Sequence, residues 1–304
     1  MHRFTLNAGY AGIITVVVAL GTASALPMAP PAAVPLNAVN DARSESRLDI
    51  FPGGTVNVVN SAGSVTLHSG SGRQVTVVAT SHSAKVEIDQ ETTPDKRRVE
   101  ILTHAKPDQK PTAEEARVDY DITVPAGVSV IVSTATAPIS VDGLSGEMIS
   151  LSSDTGQIGV RNVSKAHLHV RSVTAPVTLA AIAGGDVEIT TAGGTVQLSN
   201  VSGPLVNVGT TSGNITYQGD CSGGGAYTLT THSGIIDVTL PETASFDLSA
   251  RSVTGVVQND FPLQQKAHTS FVPKLGSSFT GTSLSGSSSV ELQSFSGRIR
   301  VKKQ

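Results

Sequence analysis

The stretch GDVEITTAGGTVQLSNVSGPLVNVGTTSGNITYQG, residues 185–219, repeats one pattern with a period of nineteen residues. Each copy contains two apolar pairs, and each pair recurs one period later: Val187/Ile189 as Val206/Val208, and Val196/Leu198 as Ile215/Tyr217. The spacing of two within a pair is the periodicity of a β-strand, whose side chains point alternately to opposite faces. The repeat therefore predicts two short strands, joined by a small-residue turn, in every nineteen residues.

The same register extends along most of the chain. The first apolar pair recurs in seven copies: Val130/Val132, Ile149/Leu151, Leu168/Val170, Val187/Ile189, Val206/Val208, Tyr227/Leu229 and Phe246/Leu248. Two positions later an inward column of hydroxyl residues is expected to bond to one another or to the turn backbone: Thr134, Ser153, Ser172, Thr191, Thr210 and Thr231. Side chains one period apart should stand above one another, about 4.8 Å apart, as in stacked coils.

This pattern predicts an all-β, right-handed parallel β-solenoid, in which Leu168 and Val187 are vertical neighbours. Parallel crossovers are nearly always right-handed. A left-handed hexapeptide helix requires apolar residues every six positions, which this sequence lacks. A single coil buries too little apolar surface to offset the entropy of ordering its residues, so the coils are stable only together and the open ends need covers.

The sequence divides into five segments. Residues 1–25 have a basic start, an apolar run and an Ala-Ser-Ala cleavage pattern typical of a signal peptide. A retained membrane anchor is the alternative, because the uncharged run is close to the length that spans a bilayer. The other predicted segments are a Pro-rich flexible leader (26–47), an antiparallel N-terminal β cap (48–126), the solenoid repeats (127–260), and a polar loop with a final capping coil (261–304).

The amino-acid composition excludes some classes of function for this protein. A net charge of −3 with 15% charged residues provides no basic face for nucleic acid. Cys221 is the single cysteine, so no internal disulfide forms, and it is interpreted as a small buried hydrophobe. We expect an exported protein of the periplasm, cell surface or extracellular space, with no stable membrane span after signal cleavage and no cofactor.

Several phrases resemble the putative adhesin family of exported bacterial β-solenoid domains. They are GGTVNVVNSAGSV, DITVPAGVSVIV, and the recurring TTSGNITY, THSGIIDV and SFSGRIRV. The resemblance covers nearly the whole chain after the signal segment. It implies a non-enzymatic envelope or surface protein, and it supplies no catalytic residue.

One weak candidate site emerges from the repeat. His167 and His169 flank an inward Leu168, so both imidazoles should point outward, beside Asp186 and Glu188 one coil further on. Two imidazoles and two carboxylates are the ligands of a zinc site. Surface charge pairs across neighbouring strands are the interpretation we favour, and no metal is assigned.

The sequence leaves three functional hypotheses. The first is a non-catalytic β-solenoid, an adhesin or envelope scaffold, that binds glycan or an envelope protein through rows of Thr, Ser, Asn and Gln. The second is a carbohydrate-active β-helix enzyme, a polysaccharide lyase or hydrolase, although no paired acids with a neighbouring base stand out. The third is a partner in envelope-stress sensing.

Overall fold

The computed structural model describes residues 42–221, 223–264 and 277–304, and these residues contain strands, turns and loops but no helix. Their twenty-four strands are β1 (Ala42–Asp49), β2 (Thr55–Asn60), β3 (Ala62–Gly70), β4 (Gln74–Ser81), β5 (Val86–Thr92), β6 (Arg98–Ala105), β7 (Arg117–Pro125), β8 (Ser129–Thr134), β9 (Ile139–Asp142), β10 (Met148–Ser153), β11 (Ile158–Ser164), β12 (His167–Ser172), β13 (Val177–Ala183), β14 (Val187–Thr191), β15 (Val196–Ser202), β16 (Leu205–Thr210), β17 (Ile215–Gln218), β18 (Ala226–Thr231), β19 (Ile236–Leu240), β20 (Phe246–Ser252), β21 (Val257–Asn259), β22 (Ser277–Ser283), β23 (Ser288–Ser294) and β24 (Ile299–Lys303).

Two twelve-stranded sheets contain all of these strands. The first sheet has the order β22-β20-β23-β18-β16-β14-β12-β10-β8-β2-β6-β5, and the second has the order β1-β4-β7-β3-β9-β11-β13-β15-β17-β19-β24-β21. Neighbouring strands in the middle of both sheets are parallel. Each coil therefore consists of one strand from each sheet with a corner between them, as in β12 followed by β13.

The predicted register is confirmed in the middle of the stack. Leu168 pairs with Val187, which pairs in turn with Val206. All three side chains are buried, whereas Glu188 beside Val187 is exposed. A slip of one residue would turn every buried side chain to solvent, so the alternation holds the coils in this alignment. The chain is a parallel β-solenoid.

A further apolar column closes one side of the core. This column lies at or just after the end of the second strand of each coil, and its members are at most 3% exposed: Leu144, Val163, Ile182, Val201 and Cys221. These side chains fill the space between the sheets where the chain leaves one coil for the next. The sequence repeat predicts this column, including the place of the cysteine in it.

At the C-terminal end, the order of the coils differs from the order of the chain. The β23/β24 coil pairs with β18/β19 on one side and with β20/β21 on the other. The last coil of the sequence is therefore inserted into the stack, and β20/β21 lies outside it with β22 antiparallel along its edge. The expectation that the last coil of the sequence caps the stack is wrong, because periodicity fixes the register of a coil and not its neighbour.

The pairing with the inserted coil also shows that the register predicted for the seventh apolar pair, Phe246/Leu248, is wrong by two residues. Leu248 pairs with Val290, and Ala250 pairs with Leu292. Leu248 and Ala250 therefore occupy the two apolar columns in place of the predicted Phe246/Leu248. A shift of two residues keeps the same side chains inside, so the alternation alone could not detect it.

The N-terminal end is built in the same way. The β2/β3 coil lies between β6/β7 and β8/β9, and it is parallel to both. The predicted antiparallel cap is found only in the outer strands, where β1 pairs with β4, β4 with β7, and β5 with β6. The six coils from β8/β9 to β18/β19, with two more at each end, give ten.

Two predicted loops contain strands. Residues 42–47, placed in the flexible leader, form most of β1, and Ser277–Ser283, placed in the polar loop, form β22. Both lie at sheet edges, where one face and one side remain in solvent and a polar sequence is tolerated. The predicted signal peptide and most of the leader, together with residues 265–276 of the loop, lie outside the described residues.

Candidate functional site

The four residues of the predicted patch form two separate pairs. His167 Nδ1 lies 3.1 Å from Asp186 Oδ2, and His169 Nδ1 lies 3.1 Å from Glu188 Oε2. The part of the chain that the structure describes contains no group of three His, Cys, Asp or Glu residues that could hold a metal ion. The patch therefore has the geometry of cross-strand surface pairs, each worth a few tenths of a kcal/mol.

Cys221 lies in the core. Its side chain is 1% exposed, in an apolar layer where the Tyr217 and Tyr227 rings meet edge to face with centroids 5.7 Å apart. Burial, reinforced by the charge of Asp220, raises the pKa of the Cys221 thiol to about 12. A thiol that keeps its proton is a poor nucleophile, so its role is packing.

Asp119 joins a hydroxyl and an imidazole near the N-terminal end. Ser64 Oγ donates to Asp119 Oδ1 at 2.8 Å, and His82 Nε2 lies 2.7 Å from Asp119 Oδ2. Burial would raise the pKa of Asp119, but these contacts and the charge of Arg117 hold it below its usual value. Activation of a serine requires an imidazole between the hydroxyl and the carboxylate. Here the carboxylate is central, so the cluster ties β3 and β7 to the end of β4.

A hydroxyl side chain fixes the corner between the first and second sheets in most of the coils. The backbone N–H of Gly213 donates to Thr210 Oγ1 at 2.9 Å, and that of Gly234 donates to Thr231 Oγ1 at 2.9 Å. Four further corners have the same contact, made by Ser153, Thr191, Ser252 and Ser294. Of the two partners expected for this hydroxyl column, the turn backbone is the one found.

The remaining residues of the T-x-S-G phrase also serve the corner. A Cβ on Gly234 would lie 1.9 Å from the carbonyl oxygen of Gly213 in the next coil, so no larger residue fits there. Ser233 Oγ donates to the carbonyl oxygen of Thr211 at 3.4 Å. The side chain of the second residue takes no part in these corner contacts and lies on the outer surface.

These second residues form a column along the corner, which we call the corner column, and all but the half-buried Ala135 and Val253 are exposed. In stack order it comprises Ala135, Asp154, Val173, Ala192, Thr211, His232, Phe295 and Val253. His232 and Phe295 supply its two rings, which stack with centroids 4.8 Å apart and planes 3° apart. Phe295 remains 48% exposed. The ring pair marks one place on an otherwise repetitive surface.

An open groove of about 430 Å³ lies beside the ring pair, on the first sheet. Its outward strand residues are Thr230, Gln293 and Arg251, which stand in register on β18, β23 and β20. Gly209 precedes them in this outer row, and the space where its side chain would project is open. Small and polar side chains therefore form the bottom of the groove, and the stacked rings of His232 and Phe295 form one of its sides.

The groove carries one positive charge. Arg251 is exposed and forms no ion pair within the described part of the chain. Gln293 Nε2 donates to Glu291 Oε1 at 2.5 Å, outside the groove, and the described residues of its lining include no Asp or Glu. Hydroxyl, amide, guanidinium and ring groups thus converge at one site.

Sequence reasoning did not find this groove because its parts are far apart in the chain. His232, Arg251 and Phe295 come together only when β23/β24 inserts between β18/β19 and β20/β21. A signal was nonetheless present in the repeated phrases. Where TTSG has Thr211, the phrases THSG and SFSG have rings at the same position.

The sequence profile of the family described as Toastrack DUF4097 matches residues 55–302, which include the groove and nearly all of both sheets. The chain belongs to the Toastrack DUF4097 family. Membership confirms the resemblance drawn from the T-x-S-G-x-I phrases. No curated protein matches this Toastrack chain significantly.

Three solved structures are similar to the Toastrack chain at low identity. A putative cell adhesion protein from Clostridium sporogenes is 14% identical, with 86% of this chain and 100% of that chain covered and a TM-score of 0.31. Putative adhesins from Parabacteroides distasonis and Parabacteroides merdae are 11% and 10% identical, with TM-scores of 0.37 and 0.32. They cover 88% and 87% of this chain and 98% and 97% of their own lengths.

None of the residues that the structure describes forms a helix long and apolar enough to cross a bilayer.

Proposed function

We propose that this Toastrack protein is an exported, non-catalytic binding module, of adhesin type, that attaches to a glycan or an envelope protein. The observation that carries the proposal is the groove beside His232 and Phe295, where ring, hydroxyl, amide and guanidinium groups converge on one open surface. Convergent polar groups beside a ring surface are the usual composition of a ligand site. Export rests on the predicted signal peptide in residues 1–25.

The chemistry of the groove supports binding over catalysis. Hydrolysis of a glycosidic bond ordinarily uses two carboxyl groups on opposite sides of the scissile bond. The described lining of the groove offers Arg251 and neutral groups, and the carboxylates of the predicted patch pair with imidazoles elsewhere on the first sheet. The buried thiol of Cys221, with its raised pKa, is unsuited to nucleophilic attack.

The groove is also preorganised. Its outward side chains project from β18, β23 and β20, and each of these strands is hydrogen-bonded to a neighbour on both sides. A site on such strands loses little conformational entropy when a ligand binds. A rigid surface of this kind suits attachment without a conformational cycle.

Retention and product release by the full-length chain test this function. The immobilised protein is exposed to a panel of acidic and neutral polysaccharides and to an envelope protein extract, and the bound and released fractions are analysed. We expect retention of a polysaccharide or a defined envelope protein, with no shortened saccharide products. Product release that persists through repurification would instead establish the carbohydrate-active enzyme.

A variant of the groove and a matched control complete the test. Phe295→Ala should reduce retention, because it removes one of the two exposed rings of the pair. Val173→Ala changes a side chain in the same corner column that is 49% exposed but lies on a distant coil, so it should have no effect. Equal loss in both variants would contradict binding at the groove.

A further inference from the structure

We propose that the groove recognises a carboxylated saccharide, such as a uronic acid oligomer. In this arrangement Arg251 pairs with the carboxylate, and the His232–Phe295 pair packs against the apolar side of the sugar ring. The inference rests on the proposed function and names the class of ligand that this site takes.

The charge of the groove indicates an anionic ligand. Arg251 has no partner carboxylate among the described residues, and the lining contributes no acid to neutralise it. A guanidinium group presents a planar fork of N–H donors that matches a carboxylate in two parallel hydrogen bonds. A ligand carboxylate would form an ion pair with Arg251, the one charged group of the groove.

The neutral groups indicate that the rest of the ligand is a saccharide. A pyranose ring has an apolar face of C–H groups and a rim of hydroxyls. The electron-rich face of an aromatic ring attracts C–H groups, and the exposed side of the ring pair supplies an apolar wall. The hydroxyls of Thr211 and Thr230 can both donate and accept hydrogen bonds, as sugar hydroxyls require.

The strand pairing under the groove disfavours an extended peptide. Peptides commonly bind a sheet by adding a strand to an unpaired edge. The strands beneath the groove, β16, β18, β23 and β20, are paired on both sides, so no such edge opens into it. The ligand must therefore be held by side chains alone, which is how a saccharide is bound.

The test compares oligogalacturonate with its methyl ester, since the two differ in the charge of the carboxyl group. Binding to the full-length chain is measured by isothermal titration calorimetry. We expect the acid to bind about tenfold or more tightly than the ester, the ratio typical of a hydrogen bond to a charged group. Arg251→Gln should remove this preference, whereas Phe295→Ala should weaken both ligands.

A matched control separates the site from the general surface charge. Arg171 occupies the same outer row of the first sheet on β12, five strands from Arg251, and it too is exposed. Arg171→Gln should leave both affinities unchanged. An equal loss of preference in Arg171→Gln and Arg251→Gln would overturn the assignment. Thermal unfolding of each variant shows whether the fold is retained.

Other outcomes distinguish this inference from the proposed function. Equal binding of acid and ester by the unaltered protein, with binding still lost in Phe295→Ala, would overturn the carboxylate specificity and leave a glycan-binding module. Preference for an acidic peptide of equal charge would overturn the saccharide class. If neither saccharides nor envelope proteins are retained at all, the proposed function itself fails.

Discussion

The six middle coils and the two ends of the solenoid follow the same repeat but different topologies. From β8/β9 to β18/β19 each coil stacks on the one that precedes it in the chain. At each end, one coil is inserted between two others, as β2/β3 and β23/β24 show. The period thus sets the register of a coil in both regions, whereas it identifies the neighbouring coil only in the middle.

This difference explains the contrast between the two sites. The patch of His167, His169, Asp186 and Glu188 lies in the middle coils, and the structure brings together the pairs that the period predicts. The groove lies at the C-terminal end, where the inserted coil creates contacts that no fixed period contains. A repeated surface becomes unique where the repeat order is interrupted.

The largest expected effect tests the middle of the stack. Val187→Asp places an unpaired charge between two apolar layers, and we expect it to lower the free energy of unfolding by on the order of 3–5 kcal/mol. Glu188→Gln, one residue away on the outer face, removes only an exposed contact to His169 and should cost less than about 0.5 kcal/mol. Denaturant unfolding measures both. Similar midpoints for the two variants would mean that the inward and outward faces are wrongly assigned.

A second pair of variants tests whether the inserted coil is packed as tightly as the middle coils. Leu292 on β23 and Leu151 on β10 are both 0% exposed. Leu292→Ala and Leu151→Ala should each cost about 2–5 kcal/mol, through lost burial and the cavity left behind. A residue on a terminal capping coil would be covered on one side only and would cost less. A much smaller destabilisation in Leu292→Ala would therefore contradict the insertion.

The fold was predictable wherever one physical rule acts alone. Alternation of apolar and polar residues identified Leu168 and Val187 as stacked neighbours, and the nineteen-residue register identified the hydroxyl column. The edge strands β1 and β22 were not predictable, because an exposed edge imposes little apolar pattern on the sequence. Nor was the place of β23/β24, since any coil of the right register can pair with any other.

The site was less predictable than the fold for a related reason. Arg251, Gln293 and Phe295 each occupy an outward position, where the repeat tolerates almost any side chain. Their proximity depends on the topology of the end and leaves no local pattern. Only the rings of THSG and SFSG, at a position otherwise held by smaller side chains, departed from the repeat in a way that the sequence shows.

The smallest expected effect tests the N-terminal end through its pH dependence. The folded-state pKa of Asp119 is lowered relative to that of the unfolded chain, so its ionised form stabilises the folded state. This contribution is present above the unfolded pKa of about 3.9 and is lost as the pH falls through the lower folded value. Because the carboxylate is partly exposed, we expect Asp119→Asn to cost only about 1 kcal/mol at neutral pH.

Amide hydrogen exchange from pH 7 to pH 3 locates this effect in the molecule. The deficit of Asp119→Asn should appear in β3 and β7, which the carboxylate ties to His82, and should shrink toward acid pH. The side chain of Asp154 is exposed and makes no hydrogen bond or ion pair within the described ranges. The exchange profile of Asp154→Asn should therefore match that of the unaltered protein. The six middle coils should exchange alike in all three proteins, because repeat interfaces transmit stability mainly to their nearest neighbours. A deficit spread evenly over all ten coils would show that the ends and the middle unfold as one unit.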